Sequence, residues 1–395
     1  MTENILFVDD ETDLELLIMQ RFRKAIKSEK YNLFFATNGE EALEVLAKNP
    51  TISIIVTDIN MPVMDGLELL RRVNEMNNPT QKVIIVSAYG DMDNIRSAMN
   101  KGAFDFLTKP IDFDDFEKTI EKTVATVKMI RAGIESQKKL DDVRKELDAA
   151  REIQQAILPR KFPPFPELKT FDIYGKMEAA FEVGGDFFDF FMMLDKDHLG
   201  FVIGDVSGKG VPSSLFMAVT RTLIFSYGKA GYPIDECLRM TNEVLCADSV
   251  DSMFVTVFYG VMDINTGETT YVNAGHNYPY IIRSNGTVKA LDEGSSIILG
   301  AFEEAKFIKN SIKLEPNDKL FLYTDGVNEA MDSSRKQLGD KALFKHLCYL
   351  QNTEDNNNPK TITDSVFNLV KQHTQGNELS DDITVLTITY YGDKR

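Results

Sequence analysis

The sequence predicts a multidomain chain. It comprises a doubly wound α/β unit with a five-stranded parallel sheet, a long coiled-coil helix, and an α+β unit of two packed antiparallel sheets flanked by helices. Three observations predict it. Over residues 1–122, nearly continuous apolar runs alternate with amphipathic helical segments, as parallel strands buried on both faces require. From about 113 to 157 there is no proline and one glycine, Gly133, and apolar residues recur at steps of three and four, the pattern of a helical seam. Beyond 166, short alternating strands and turn signals interleave with helical segments, which fits two sheets with helices outside.

In order along the first unit, strands are predicted at 5–8, 33–37, 52–57, 83–87 and 105–108, with helical spacing between them, as at Leu14, Leu17, Ile18 and Phe22. A doubly wound sheet binds its ligands at the carboxyl ends of the strands. The seam runs through Phe116, Ile120, Thr123, Val127, Ile130 and Ile134. It resumes at Leu140, Val143, Leu147, Ala150, Ile153 and Ile157. Between Ile134 and Val143 the steps are three, three and three, a stammer in the heptad. A stripe sustained over several heptads predicts a dimeric coil rather than a helix docked on one neighbour. The helix stops at Leu158-Pro159, and 159–166 is a proline-rich boundary. Strands follow at 198–205, 254–263, 269–274, 319–323 and 383–390, with helices at about 211–229, 233–247 and 360–374. The predicted domains are therefore 1–122, 123–158 and 159–395.

At 395 residues the chain exceeds one ordinary core. A net charge of -17 argues against nucleic acid as the main partner, because phosphate binding needs clustered Lys and Arg. Cys237, Cys246 and Cys348 fit no zinc spacing and read as reduced thiols of a cytoplasmic protein. The first ten residues lack the features of a signal peptide, and no apolar run approaches the ~20 residues of a bilayer span, so no membrane association is expected.

Two sets of aspartates carry the chemistry. In the first unit, Asp9 and Asp10 end strand one and Asp58 ends strand three, so three carboxylates converge on one edge. Ser87 ends strand four and Lys109 ends strand five, before Pro110. One lysine cannot neutralise three carboxylates, so an oxygen-ligated Mg is expected. A carboxylate held beside Mg, a hydroxyl and an ammonium can accept a phosphoryl group. These residues resemble those of a two-component response-regulator receiver domain, over roughly 1–122. The resemblance implies that Asp58 is the phosphoacceptor and that Asp9, Asp10, Asp58 and the Asn60 carbonyl hold Mg. It further implies that Ser87 and Lys109 contact the phosphoryl group, that Phe106 is the aromatic switch residue, that Lys109-Pro110 is cis, and that a sensor histidine kinase is the partner. No helix-turn-helix or basic segment follows, so the output is expected to be enzymatic or protein-binding.

In the second half, Val183-Gly-Gly-Asp186, Gly204-Asp205-Val206-Ser-Gly-Lys-Gly210, Tyr323-Thr-Asp325-Gly326 and Ser380-Asp381-Asp382-Ile-Thr384 each place an aspartate beside an apolar run. Oxygen-only ligands select Mg, Mn or Ca over zinc. Two such ions about 3.5–4 Å apart can clamp a phosphoryl group and generate a hydroxide. The competing cysteine chemistry needs Arg six positions after Cys, where this chain has Glu243, Ser252 and Glu354. With Ala150-Arg-Glu-Ile-Gln-Gln-Ala-Ile-Leu-Pro159 and Asn273-Ala-Gly-His276, the motifs resemble PPM-type serine/threonine phosphatases of the sporulation stage II E type, over about 150–391.

This second resemblance implies that Asp205 bridges two metals, Mg or Mn, with Asp186 and the Val206 carbonyl at one and Asp325 and Asp381 at the other. Asp381 is preferred to Asp382 by analogy with the aspartate–asparagine pair of the wider fold. The implied substrate is phosphoserine or phosphothreonine on a partner protein, typically an anti-sigma-factor antagonist of the STAS type. The alternative is a receiver-controlled adaptor whose phosphatase-like domain binds without catalysis. His276 reads as a turn-shaping residue or an acid for the leaving group. Asp189 reads as structural or as a partner of metal-bound water, and Ser207 and Lys209 as loop-shaping residues.

Overall fold

The computed structural model describes residues 2–88, 91–247, 253–351, 358–377 and 379–392. Two compact units emerge, Met1–Val143 and Arg144–Arg395. No helix among the described residues is long and apolar enough to cross a membrane.

In the first unit, β1 (Glu3–Val8), β2 (Tyr31–Ala36), β3 (Ile52–Asp58), β4 (Lys82–Ala88) and β5 (Asp105–Lys109) form one sheet in the order β2-β1-β3-β4-β5. Every neighbouring pair is parallel. Helices α1 (Thr12–Arg21), α2 (Arg23–Lys27), α3 (Gly39–Lys48), α4 (Gly66–Glu75) and α5 (Met92–Asn100) connect the strands. Alternation along β1 explains the two layers. Ile5 and Phe7 join Ile18, Phe22, Phe116 and Ile120 on one face, while Leu6 and Val8 join Leu46, Leu69, Leu70 and Val73 on the other. Of the predicted α1 stripe, Ile18 and Phe22 are buried, but Leu17 is exposed. Asn38 and Asp65 cap α3 and α4, accepting the Glu41 and Glu68 amides.

Helix α6 (Phe113–Ile157) is unbroken over 45 residues. Its first turns place Phe116, Ile120, Val124 and Val127 in the core of the first unit. From 132 to 146 every residue is exposed, the seam residues Ile134, Leu140 and Val143 included.

The second unit holds two sheets. Strands β7 (Phe187–Met192), β8 (His198–Val206), β9 (Val255–Asp263), β10 (Glu268–Ala274), β13 (Ser295–Ser296) and β14 (Asn310–Lys313) form the first, in the order β13-β10-β9-β8-β7 with β14 also on β10. The second sheet runs β12-β11-β15-β16-β6, from β6 (Phe171–Glu178), β11 (Tyr280–Ile282), β12 (Val288–Ala290), β15 (Lys319–Tyr323) and β16 (Ile383–Tyr390). All pairs are antiparallel except the two-residue pairing of β10 with β13. The sheets face each other across a core that includes Phe188, Phe190, Phe201, Phe258, Leu320, Leu322 and Leu386. Helices α7 (Val211–Lys229) and α8 (Ile234–Ala247) cover the first sheet; α9 (Asp340–Leu350) and α10 (Pro359–Thr374) cover the second. The four phenylalanines of β7 split by strand alternation: Phe188 and Phe190 point between the sheets, Phe187 and Phe191 toward α7 and α8.

Candidate functional site

At the carboxyl edge of the receiver-like sheet, Asp9 follows β1, Asp58 ends β3 and Lys109 ends β5. The Lys109 Nζ lies 2.6 Å from Asp58 Oδ2, 3.0 Å from Asp9 Oδ2 and 3.4 Å from Glu11 Oε1. Carboxylate oxygens of Asp9, Asp10 and Asp58 come within 4.8 Å of one another. Burial holds the Asp9 carboxyl above its ordinary range despite the Glu11 amide and Lys109. Burial alone would lower the Lys109 ammonium, but its bonds to Asp58 and Asp9 outweigh that and raise it. The Asn60 amide donates to Asp58 Oδ1 at 3.4 Å. Ser87 is buried on β4, one residue past the partner of Asp58, and its hydroxyl reaches Asp91 Oδ2 at 3.5 Å. Phe106 is 38% exposed on β5, and Lys109-Pro110 is cis.

The second cluster is built by two registers. In the first sheet Phe187 pairs with Gly204, which sets Asp186 beside Asp205. In the second, Tyr323 pairs with Val385, which brings the loop of Asp325 against the turn of Asp381 and Asp382. Two hydroxyls tie the sheets together. Thr324 Oγ1 and Thr384 Oγ1 each donate to Asp186 Oδ2 at 2.7 Å. At Gly185 a Cβ would stand 2.8 Å from the Val206 carbonyl oxygen, so glycine lets that carbonyl approach the loop of Asp186.

Electrostatics follow from this crowding. Burial, then the charges of Asp205 and Asp382, hold Asp186 well above the ordinary carboxylate range. Burial, then Asp325 and Asp381, push Asp205 up to about 7. Burial, then Asp381 and Glu329, raise Asp325. Lys209 is the cation seated against this group: its Nζ is 3.1 Å from Asp381 Oδ2, also donates to the Ser380 carbonyl, and sits 5.2 Å from the Phe181 ring centre. One ammonium does not balance four carboxylates. An all-oxygen donor set with residual negative charge fits hard divalent cations.

Asp381 and its neighbour differ in what they hold. Asp382 is buried, and both its oxygens are spent on backbone: Oδ1 accepts the Ala180 amide at 2.8 Å, and Oδ2 accepts Gly185 at 2.7 Å and Asp186 at 3.4 Å. The Asp381 carboxylate instead meets the Lys209 ammonium and accepts the Asp382 amide at 2.9 Å. Asp189 pairs with Arg221 of α7 at 2.7 Å and is pushed up to about 6 by burial, against the pull of that guanidinium. The His276 amide donates to Asn273 Oδ1 at 2.8 Å, and the Asn273 amide returns a bond to the His276 carbonyl at 3.0 Å. Its imidazole Nδ1 meets Thr256 Oγ1 at 2.9 Å. Lys209 thus reaches a carboxylate of the cluster, beyond the loop-shaping role expected of it. Thr324 and Thr384 lie inside the Tyr323-Thr-Asp325-Gly326 and Ser380-Asp381-Asp382-Ile-Thr384 motifs, but a hydroxyl beside an aspartate in sequence does not announce a bond to Asp186.

Comparison with known proteins agrees with both halves. Residues 5–121 match the response regulator receiver domain, and residues 195–391 match the stage II sporulation protein E family. Protein IcfG of Synechocystis is 31% identical over 276 residues, 62% of this chain and 41% of that protein; the chain therefore spans about two fifths of this relative. Phosphoserine phosphatase RsbU of Bacillus subtilis is 27% identical over 252 residues, 62% of this chain and 70% of the relative. Sporulation initiation phosphotransferase F of Bacillus subtilis is 34% identical over 122 residues, 31% of this chain and 94% of the relative. The chain belongs to the response regulators, its receiver domain being followed by a PPM-type phosphatase domain of the stage II sporulation protein E family.

Proposed function

We propose that this chain is a phosphorylation-controlled protein phosphatase, which removes phosphate from serine or threonine of a partner protein when its receiver is phosphorylated. The observation that carries the reading is the meeting of Asp186, Asp205, Asp325 and Asp381 from two sheets around a deficit of positive charge. Asp205 would bridge two cations, Mg or Mn, with Asp186 and the Val206 carbonyl at one and Asp325 and Asp381 at the other. When bound, the cations would neutralise phosphoryl oxygens and activate water for attack on phosphorus. The chain's own residues prepare that site. Thr324 and Thr384 fix the Asp186 carboxylate, Asp382 fixes its backbone, and Lys209 stands at the Asp381 side, where a phosphoryl oxygen could replace its carboxylate contact.

The substrate class comes from the relative called a phosphoserine phosphatase. A STAS-type anti-sigma-factor antagonist is the partner the family suggests. In the receiver, Asp58 would take the phosphoryl group from a sensor histidine kinase, with Asp9, Asp10 and Asn60 completing an Mg site and Ser87, Lys109 and Phe106 responding to the new charge. The functional division is 1–122, 123–158 and 159–395. A second copy of the chain would cover the exposed seam of α6.

The test is hydrolysis of a serine-phosphorylated STAS protein with Mn2+. Activity should vanish in Asp205→Ala and in Asp325→Ala, with folding retained by circular dichroism. Turnover surviving in both variants would remove the two-metal reading, whereas no Mn2+-dependent turnover in the parent chain would favour an adaptor.

A further inference from the structure

The last turn of α6 carries a buried side chain that is none of the proposed ligands. Gln154 is 6% exposed, although Glu152, Ile153 and Gln155 beside it are all exposed. A buried amide must find partners for its acceptor and its donors. Gln154 finds them on one residue. Its Nε2 donates to the Gly184 carbonyl at 2.5 Å, and its Oε1 accepts the Gly184 amide at 3.1 Å. Gly184 is the first of two glycines before Asp186. On its other side a Cβ would stand 2.2 Å from Asp382 Oδ2, the oxygen that accepts the Gly185 and Asp186 amides. The backbone of 184–186 is thus gripped between Gln154 and Asp382, and Asp186 projects from the gripped segment.

We infer that Gln154 is a positioning residue, whose two hydrogen bonds to Gly184 hold the Asp186 loop and thereby set the affinity of the acidic cluster for a divalent cation. The inference rests on the metal reading above and adds to it a residue outside the ligand set. Residues that orient metal ligands change metal affinity by about 10–100-fold when removed. The clamp also gives α6 a point of action. Gln154 belongs to that helix, so a shift of its last turn would break the clamp without touching any ligand.

The experiment uses the full chain with Asp10→Ala, which removes the receiver cluster from the titration, and Mn2+ as the probe. Calorimetry compares this reference with Gln154→Leu, Gln154→Glu and Ile153→Ala. Gln154→Leu and Gln154→Glu should weaken Mn2+ binding about tenfold or more, and hydrogen exchange at 184–186 should rise. Saturating Mn2+ should recover most of the turnover, and Ile153→Ala should match the reference. Gln154→Glu keeps the shape of the side chain and turns its donor into an acceptor, so it carries the test if Gln154→Leu fails to fold. A Mn2+ dissociation constant within twofold of the reference in the folded variants, with only a lower melting temperature, overturns the inference and leaves the metal reading standing. A reference chain whose Mn2+ binding is absent, or survives Asp205→Ala, overturns both.

Discussion

A carboxylate taken out of water keeps its proton unless a partner compensates it, and Asp189 and His276 show what burial costs in each direction. Asp189 meets the Arg221 guanidinium, which also stacks 4.9 Å from the Phe225 ring centre. Asp189→Asn would leave that guanidinium largely buried without its counter-charge. A loss of about 3 kcal/mol is expected, read from the midpoint of denaturant unfolding, and Arg221→Met in the same chain should return part of it. His276 behaves oppositely. Burial lowers its imidazole from 6.5 to about 4, so the unfolded chain takes up this proton first as pH falls. Its stabilising contribution is complete above 6.5 and is lost progressively from there toward 4. At about 1.4 kcal/mol per pH unit, the loss across the window approaches 3 kcal/mol. The melting temperature of the parent chain should therefore fall more steeply between pH 6.5 and 4 than that of His276→Gln. Parallel curves would show that folding does not depress the imidazole's pKa.

Among the elements, α6 poses the sharpest question, because fifteen consecutive exposed residues, 132–146, hold three large apolar side chains in water. Covering a Leu or Val side chain is worth about 2 kcal/mol, enough for a few of them to drive pairing of two helices. Leu140→Glu with Val143→Glu should convert a dimer to a monomer in sedimentation equilibrium, with both domains still folded; an unchanged mass would remove the coiled-coil reading. The helix itself was legible in the sequence because nothing in 113–157 interrupts it, and the five parallel strands because each is a short apolar run bounded by polar turns. Helix α9 and the eight-residue strand β6 were missed, as were the strands of two to four residues at β11 to β14. Such short strands carry too little periodicity to announce themselves, and they form because long neighbours offer them hydrogen bonds. Asp186, Asp205 and Asp325 stood out in the sequence beside glycine and an apolar run, and Asp381 by its place before the last strand. The bonds that organise the cluster did not: Thr384 to Asp186 spans 198 residues, Asp382 to Gly185 spans 197, and Lys209 to Ser380 spans 171. Contacts of that separation are products of the sandwich, which sets Asp186 of one sheet against Thr324 and Thr384 of the other.

For the molecule as a whole, the question is whether the first aspartate cluster governs the second. Phosphorylation of Asp58 would replace a carboxylate of one negative charge by an acyl phosphate of roughly two beside Asp9 and Lys109, at an edge where Lys109 is already shared between two carboxylates. That edge adjoins β5, and β5 leads through Pro110 into α6. The helix then runs without a break through Gln154, which is buried in the second unit, to Ile157. A continuous helix can carry a rotation or register shift that a flexible tether would lose. Beryllofluoride or a small phosphoryl donor should therefore raise turnover on the phosphoprotein, and Asp58→Asn should abolish the rise while leaving basal turnover in place. Ser136→Pro separates transmission from either end. Proline inside a helix removes a hydrogen bond and kinks the backbone, at a cost of about 3 kcal/mol. It lies outside both acidic clusters, so the variant should still take up phosphate at Asp58 and still hydrolyse substrate at the basal rate, but the two should no longer respond to each other. If the response persists undiminished in Ser136→Pro, the signal does not travel along the intact helix; if turnover is the same with and without beryllofluoride in the parent chain, the receiver does not gate the phosphatase at all.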